Sequence, residues 1–240
     1  MPHTKMTLPQ LVRYLHLPET QIKKLVSRGD IPSRRIDGEL VFSRNDVNRW
    51  LEQKIGVSDN SELKEVEKAL DKSSPDGSTD EDITIAGLIP EGAVAIPLQA
   101  RTRDSAIREM IKLASSTGLL WDAEIMFEAV RAREELHSTA LDNGIALLHS
   151  RQPLPNILGD TFISLGILPS GIAFGGNFGG ITDILFLICS IDDRIHLRIL
   201  TRLSRLLKLD GFIEGLREQE TEKGIRKWIQ QNEQRLAGGS

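Results

Sequence analysis

The sequence is poor in cysteine and in aromatic residues: it has one cysteine, Cys189, and only 5% Phe, Trp and Tyr among its 240 residues. A single cysteine cannot form an internal disulfide, which excludes a disulfide-stapled scaffold and fits a reducing compartment. Cys189 lies in the apolar stretch DILFLICS, where a buried thiol is expected. No Cys and His residues have the spacing of a zinc site. We therefore expect neither a metal nor a cofactor.

Long hydrophobic runs are also missing. No stretch approaches the roughly 18 uninterrupted apolar residues that indicate a transmembrane helix. The first ten residues, MPHTKMTLPQ, have no apolar core of the kind found in a signal peptide. The expectation is a cytoplasmic protein without membrane insertion.

A glycine-rich loop that cradles phosphate is not indicated either. The stretch GGNFGG, residues 175–180, lacks the GK[ST] ending of such loops and precedes a strand-like segment instead of a helix. It predicts a tight turn between two strands.

Charge is distributed unevenly along the chain. Residues 1–56 contain ten Lys and Arg against six Asp and Glu, and residues 57–82 contain three Lys against nine Asp and Glu. The second part of that acidic stretch, SSPDGSTDED, has no apolar residue, which is typical of a flexible linker. We therefore predict a basic domain at 1–56, an acidic linker at 57–82 that includes a short helix, SELKEVEKALDK, and a second domain at 83–236.

The first segment has the pattern of a winged helix-turn-helix. Apolar spacing predicts one helix from Thr7 and a second over ETQIKKLVSRG, which ends near Gly29. Two extended pieces follow, joined by Asp37-Gly38, a strong hairpin signal, and a third helix covers RNDVNRWLEQKI.

Short motifs in this segment resemble the excisionase and MerR-like DNA-binding family. They are Arg28-Gly29, Ile31-Pro32 and Trp50-Leu51 in that order, within residues 6–54. Basic side chains that lie off the apolar helix face, or enter the hairpin, are candidates for DNA contacts: Lys23, Lys24, Arg28, Arg34 and Arg35. The alternative is a solvated basic face on a protein-binding module. One such module usually needs a second copy for specificity, so a homodimer is among the expected partners.

From Ile83 onward, strand-like and helix-like stretches alternate, which predicts an α/β domain with helices covering a sheet. The predicted strands are AVAIPLQA, GIALLHS, TFISLGIL, GIAF and ITDILFLICS. The predicted helices are RDSAIREMIKLASSTG, WDAEIMFEAVRAREEL, HLRILTRLSRLLKL and GFIEGLREQETEKGIRKWIQQNEQ.

The stretch MFEAVRAREELHSTALDNGIALLH, residues 126–149, resembles the enzyme IIA domains of the bacterial phosphoenolpyruvate-dependent phosphotransferase system, in the fructose/mannitol and nitrogen-regulatory class. Further matches are ITDILFLI and the HLxxLxxLxxLL pattern that begins at His196. The resemblance covers residues 83–231 and implies the type 2 enzyme IIA fold, a mixed sheet flanked by helices.

The resemblance also implies roles for individual residues. His149 corresponds to the histidine that accepts the phosphoryl group from an HPr-type carrier protein. Arg133 corresponds to the arginine that supplies positive charge, and His196 to the second histidine beside the first. At the N-terminus of its predicted helix, His196 could face an anion together with free backbone amides. Thr139, Asn143 and Gly144 correspond to the turn that supports the phosphate site. His137 has no matching role and is expected on the surface.

The chain departs from the family pattern around the acceptor. Leu148 and Ser150 stand where the family usually has Pro and Gly, and Asp142 adds a carboxylate to the turn. Three functions stay open: a transcriptional regulator whose DNA-binding head responds to phosphorylation of His149, a phosphocarrier that passes phosphate to a separate IIB protein, and a degenerate IIA fold that acts by binding a regulatory target protein.

Overall fold

The structure is a computed structural model that describes residues 5–15, 18–36, 38–44, 46–47, 49–50, 83–175 and 180–238. The predicted linker at 57–82, with its predicted short helix, lies outside the described residues. Two compact units divide the chain after residue 82, and residues 197–208 group with the first unit.

The first unit begins with a strand that the sequence pattern did not indicate. Its elements are β1 (Lys5–Thr7), α1 (Leu8–Leu15), α2 (Glu19–Ser27), β2 (Arg34–Ile36) and β3 (Glu39–Ser43). Residues 44, 46–47 and 49–50 are helical, within the predicted third helix. The three strands form an antiparallel sheet in the order β1-β3-β2.

The predicted hairpin and helix ends are present in this unit. Strands β2 and β3 pair antiparallel, Arg34 with Val41, and Gly38 between them has a φ of 84° that a side chain would disfavour. Helix α2 ends at Ser27, and Gly29 follows with a φ of 77°. Apolar residues from both helices and from β3 are buried, among them Leu11, Ile22 and Phe42.

The second unit is built on a mixed four-stranded sheet with helices. Its strands are β4 (Val94–Ala95), β5 (Ile145–His149), β6 (Phe162–Ala173) and β7 (Ile181–Cys189). Its helices are α3 (Arg103–Ser116), α4 (Ala123–Leu136), the start of α5 (Asp193–Leu206), α6 (Phe212–Arg217) and α7 (Glu222–Gly238). Residues 197–206 of α5 are those that group with the first unit. The strand order is β4-β6-β7-β5, with β6 and β7 antiparallel and the two outer pairs parallel.

One face of this sheet carries the main hydrophobic cluster. Helices α3 and α4 contribute Ile107, Met110, Phe127 and Val130, and the edge strand β5 contributes Ala146 and Leu148. Successive side chains on a strand point to opposite faces. His149 therefore lies on the other face, with Ile145 and Leu147.

The structure corrects three predicted boundaries. TFISLGIL and GIAF form one strand, β6, with a register irregularity between Ile167 and Ile172. AVAIPLQA forms only the two-residue strand β4. The single helix expected near the C-terminus is two helices, α6 and α7. They pack together where Gly215 leaves room for the indole of Trp228: a Cβ at Gly215 would lie 2.1 Å from that ring.

Residues 176–179 of the GGNFGG stretch lie outside the described residues, between the antiparallel strands β6 and β7. Among the residues that the structure describes, no helix is long and apolar enough to cross a membrane.

Candidate functional site

His149 is the last residue of the edge strand β5, and its ring is almost fully buried, with 3% of its surface exposed. Its Nδ1 atom lies 2.8 Å from the carbonyl oxygen of Leu147. A carbonyl oxygen can only accept a hydrogen bond, so Nδ1 must carry the proton. In the neutral ring, the lone pair is then on Nε2.

His196 lies beside His149. The two ring centroids are 5.1 Å apart and the ring planes are inclined by 54°, and His196 is 7% exposed. This juxtaposition is the one that the resemblance implies for the two histidines.

The backbone amides next to His196 differ from the expectation. The first turn of α5 was expected to offer free amides to an anion, but Asp192 occupies them. Its Oδ1 accepts from the N–H groups of Arg194 at 2.8 Å and Ile195 at 3.1 Å, and its carbonyl oxygen accepts from the amide of His196 at 3.0 Å. Asp192 acts as the N-cap of α5, so those amides hold the helix start together.

Arg133 lies in the last turn of α4, as expected. Its Nη1 donates to the carbonyl oxygen of His137 at 2.8 Å. His137 itself is exposed, in agreement with its expected surface position. Arg133 therefore holds the segment that leaves α4 toward the turn before β5.

Thr139 is fixed by a buried carboxylate. The amide of Thr139 donates to both oxygens of Glu134, at 3.0 and 3.3 Å, and its hydroxyl donates to Oε1 of Glu134. The carbonyl oxygen of Thr139 accepts from the amide of Leu147 at 3.3 Å. Residues 139–147 thus form a tight reversal. Its first half turns back onto the start of β5, and Ala140 forms an antiparallel bridge with Ala146.

Asn143 and Gly144 form the tip of this reversal. The backbone oxygen of Asn143 accepts from Nη2 of Arg217 at 2.9 Å, and Arg217 also binds both carboxylate oxygens of Asp183, at 2.6 and 2.9 Å. A Cβ at Gly144 would lie 2.6 Å from Nη2 of Arg217, and Gly144 has a φ of 89°. Glycine is therefore required there by both space and backbone conformation. Asn143 therefore contributes its backbone oxygen to the hydrogen bond that holds the turn.

Leu148 and Ser150, the two residues next to His149 that depart from the family pattern, are each held by contacts in the structure. Leu148 is fully buried in the cluster beneath α3 and α4. The hydroxyl of Ser150 donates to the carbonyl oxygen of Gln152 at 2.6 Å, so the chain after the acceptor is held by a local turn where glycine is usual.

Three residues of this region were not found from the sequence: Glu134, Asp192 and Arg217. Asp192 precedes an apolar-periodic segment, which is an N-cap signal that could have identified it. Glu134 stands in the charged run RAREE, where a solvated face is the ordinary expectation, and Arg217 is distant in sequence from the turn it binds. No local pattern reveals those two.

Burial and ion pairing also shift two pKa values in this unit. Burial raises the pKa of the Cys189 thiol well above its usual range. The hydrogen bonds to Asp183 raise the pKa of Arg217.

Among the described residues there is no group of three or more His, Cys, Asp or Glu side chains that could hold a metal ion.

In the first unit, three of the predicted DNA-contacting residues line one groove. Lys23, Arg34 and Arg35 surround a cavity of about 490 Å³, together with Val26, Ser27, Ser33 and Leu40. The groove lies between the end of α2 and the β2–β3 hairpin. Lys24 on α2 and Arg28, the residue that follows α2, are exposed. The Nζ atom of Lys23 lies 2.6 Å from Oε1 of Glu19, one helical turn earlier. The carboxylate of Glu19 therefore partly neutralises the charge of Lys23.

The mixed sheet with its helices is that of a phosphotransferase enzyme IIA domain, and a helix-turn-helix domain precedes it. The chain belongs to the family described as phosphoenolpyruvate-dependent sugar phosphotransferase system, EIIA 2, whose sequence model matches residues 88–232. Residues 6–55 match the family described as helix-turn-helix domain.

Individual relatives agree with this assignment. The chain is 26% identical over 151 residues to the PTS system fructose-specific EIIABC component of Bacillus subtilis (strain 168), covering 62% of this chain but only 23% of that protein. It is 28% identical over 145 residues to the nitrogen regulatory protein of Bradyrhizobium diazoefficiens, covering 59% of this chain and 91% of the relative. The chain thus spans about a quarter of the first relative's length.

A solved structure shares the fold. The complex of enzyme IIAMTL and phosphorylated enzyme IIBMTL from Escherichia coli contains a chain that matches with a TM-score of 0.53 and 20% identity, covering 60% of this chain and 97% of that one.

Proposed function

We propose that the second domain accepts a phosphoryl group on Nε2 of His149 from an HPr-type carrier protein, and that this charge changes DNA binding by the first domain. The observation that carries the proposal is the hydrogen bond from Nδ1 of His149 to the carbonyl oxygen of Leu147. It selects the tautomer whose lone pair is on Nε2, beside the second imidazole of His196.

The transfer step needs no cofactor. The Nε2 lone pair of His149 attacks the phosphorus atom of a phosphohistidine on the carrier while the carrier's own N–P bond breaks, and the carrier's ring keeps that electron pair. The proton on Nδ1 stays on the ring and is held by Leu147. Such transfers depend mainly on positioning and on positive charge near the phosphoryl oxygens.

Two side chains are proposed to supply that charge. Arg133 carries a guanidinium, whose planar fork suits phosphate oxygens. His196 is close enough to the acceptor ring to donate a hydrogen bond to a phosphoryl group bound there. Arg133 would have to share its donors with the carbonyl oxygen of His137.

The first domain is proposed to bind double-stranded DNA in the cytoplasm, where the phosphotransferase carriers act. Lys24 on α2 and Arg28 just after it would enter the major groove, and Arg34 and Arg35 on the hairpin would contact the flanking backbone. The groove that brings Arg34 and Arg35 to the end of α2 supports one continuous basic surface.

The coupling between the domains is tested by measuring DNA affinity in both phosphorylation states. A fluorescent duplex, selected from a random-sequence library on the unphosphorylated chain, is titrated with full-length protein at fixed salt. We expect the Kd to change by more than threefold on phosphorylation, since roughly two negative charges are added. His149→Ala treated with the same carriers should keep the unphosphorylated Kd. Equal Kd values for both states of the wild-type chain would contradict the coupling.

A second function is transfer of the phosphoryl group from His149 to a separate IIB protein. It is favoured by the Escherichia coli structure, which is a complex of enzyme IIAMTL with phosphorylated enzyme IIBMTL. Loss of the phosphoryl group from His149 to added IIB protein, faster than hydrolysis alone, would support this carrier function. If His149 is never phosphorylated, a domain that acts only by binding a regulatory target protein becomes the better account.

A further inference from the structure

Helix α5 has two faces of different character. His196 belongs to the first face and lies beside His149. Arg205 follows His196 by nine residues, about two and a half helical turns, and therefore lies on the opposite face. Arg198 and Arg202 precede Arg205 at helical spacing and share that face. We call Arg198, Arg202 and Arg205 the arginine face.

The arginine face is covered although it is charged. Arg198 is only 6% exposed, and Arg202 and Arg205 are half-buried. An arginine is almost never fully buried unless it is paired, because a charge that is taken out of water destabilises the fold. Whatever covers this face must therefore offer acceptors, and carboxylates are the side chains that bind a guanidinium most strongly.

The helix itself does not supply these carboxylates. Residues 194–209, RIHLRILTRLSRLLKL, contain neither Asp nor Glu, so no acidic residue stands within four positions of Arg198, Arg202 or Arg205. The arginines instead follow one another at spacings where like charges destabilise a helix. Negative charge from another part of the chain or from a partner is needed to compensate them.

The grouping of the chain indicates where this negative charge comes from. Residues 197–208 form one compact unit with residues 1–82. The carboxylates that the structure describes in residues 5–50 are paired one helical turn away or exposed: Glu19 with Lys23, Asp46 with Arg49, and the exposed Asp30 and Glu39. The richest source of further carboxylates in this unit is residues 57–82, with nine Asp and Glu against three Lys.

We propose that the arginine face of α5 is a docking site for the acidic segment 57–82 of the same chain. Three guanidinium groups meet a segment with a net charge of about -6, so the two are electrostatically complementary. The end of the segment is tied to the second domain, because Glu233 accepts from the amides of Ile85 at 2.6 Å and Ala86 at 3.1 Å. A tethered segment has a high effective concentration at any site within its reach.

This docking site gives α5 two separate contacts. One face of the helix carries His196 to the acceptor histidine, and the opposite face binds the segment that joins the two domains. The inference does not rest on phosphoryl transfer, since the docking of the segment can be measured on the unphosphorylated chain.

The test uses the full-length chain with a nitroxide spin label at Ser73→Cys, in the middle of the segment. Cys189 is buried and does not compete for the label. A nitroxide broadens the amide NMR signals of the residues near it. At low salt we expect loss of the signals of residues 197–208. The signals of α3, on the opposite face of the sheet, should remain.

Neutralising the acidic segment should restore the lost signals. The variant Glu62→Gln, Glu65→Gln, Glu67→Gln changes no residue of either folded domain. Its matched control is Lys64→Gln, Lys68→Gln, which alters the same stretch but removes charge of the opposite sign. The control should keep the loss of signal at residues 197–208.

Neutralising the arginine face should have the same effect. Arg202→Gln with Arg205→Gln removes the two half-buried arginines and should restore the signals. Lys223→Gln with Lys227→Gln removes the same charge from exposed positions of α7 and should not. Circular dichroism verifies that each variant is folded, and the segment variant decides the matter if the arginine variant does not fold.

Unaffected signals at residues 197–208 in the labelled wild type would overturn the proposal, as would a loss that persists in the neutralised segment. Broadening at Arg34 and Arg35 in place of α5 would put the segment on the basic groove of the first domain and would also contradict it. So would a loss that arises only between chains, when spin-labelled protein is mixed with unlabelled nitrogen-15 protein, because the occupant would then come from a second copy.

Discussion

The rings of His149 and His196 lie 5.1 Å apart, although one ends a strand and the other belongs to the first turn of a helix far along the chain. Strand β7 leads from the neighbourhood of His149 to α5, because His149 pairs with Ile188 and the strand ends one residue later. The parallel pairing of β5 and β7 is thus what brings the two imidazoles together.

Replacement of His196 should slow phosphorylation without moving its site. In His196→Gln, the acceptor loses the neighbouring imidazole that can donate to the phosphoryl oxygens, and we expect the rate to fall about 100-fold. Quench-flow or timed mass spectrometry measures the rate. His137→Gln, at an exposed position, should react like wild type, and equal rates for the two variants would show that His196 has no part in transfer.

Replacement of Asp192 should affect both stability and reactivity. Asp192→Ala removes the N-cap of α5 and should lower the free energy of unfolding by about 1 kcal/mol. Asp122→Ala removes the equivalent cap of α4, where Asp122 accepts from the amide of Ile125, and is the matched control. Urea denaturation should give similar losses for both. Only Asp192→Ala should also slow phosphorylation, because His196 lies in the helical turn that this cap begins.

Loss of Arg217 should loosen the turn at Asn143 and Gly144. The ion pair with Asp183 is partly exposed, so Arg217→Met should destabilise the domain by about 1 kcal/mol or less. Hydrogen exchange at the amides of residues 139–147 should become faster in this variant. Arg226→Met, which removes an ion pair with Glu222 within α7, should leave those amides unchanged. Unchanged exchange in both variants would mean that Arg217 does not hold the turn.

Cys189 should make stability fall at alkaline pH. Burial raises the pKa of its thiol in the folded chain, while the unfolded chain keeps an ordinary pKa of about 8.5. Above that pH the unfolded state releases a proton that the folded state retains, so the free energy of unfolding falls by up to about 1.4 kcal/mol per pH unit. Cys189→Ala should lack this part of the decrease. Urea midpoints measured for both proteins on either side of that pH test it, and parallel curves would refute it.

Much of the architecture could be predicted because the relevant signals are local. Helical spacing, the Asp37-Gly38 turn and runs of apolar residues placed most helices and strands, and the ordered motifs around Arg133 and His149 identified the family. Packing between helices was not predicted, because it depends on contacts between residues distant in the sequence. In the sequence, Gly215 looks like an ordinary helix residue. The structure shows that the indole of Trp228, from another helix, fills the space that a side chain at Gly215 would need.

Within the candidate site, the sequence predicted only the residues that are proposed to take part in the chemistry. His149, Arg133 and His196 belong to motifs, whereas Glu134 and Arg217 act through geometry that no spacing encodes. Glu134 looks like one of several charges in RAREE, and its burial follows from the reversal at residues 139–147. The expected free amides at His196 failed for a local reason, since Asp192 was not recognised as a cap.

The central claim is most directly tested by the intact mass of the full-length chain after incubation with phosphoenolpyruvate, enzyme I and an HPr-type carrier. The account predicts a gain of one phosphoryl group, labile in acid as phosphohistidine is, which is absent in His149→Ala. No gain in the wild-type chain with the carrier or with phosphoramidate, or an equal gain in His149→Ala, would contradict it.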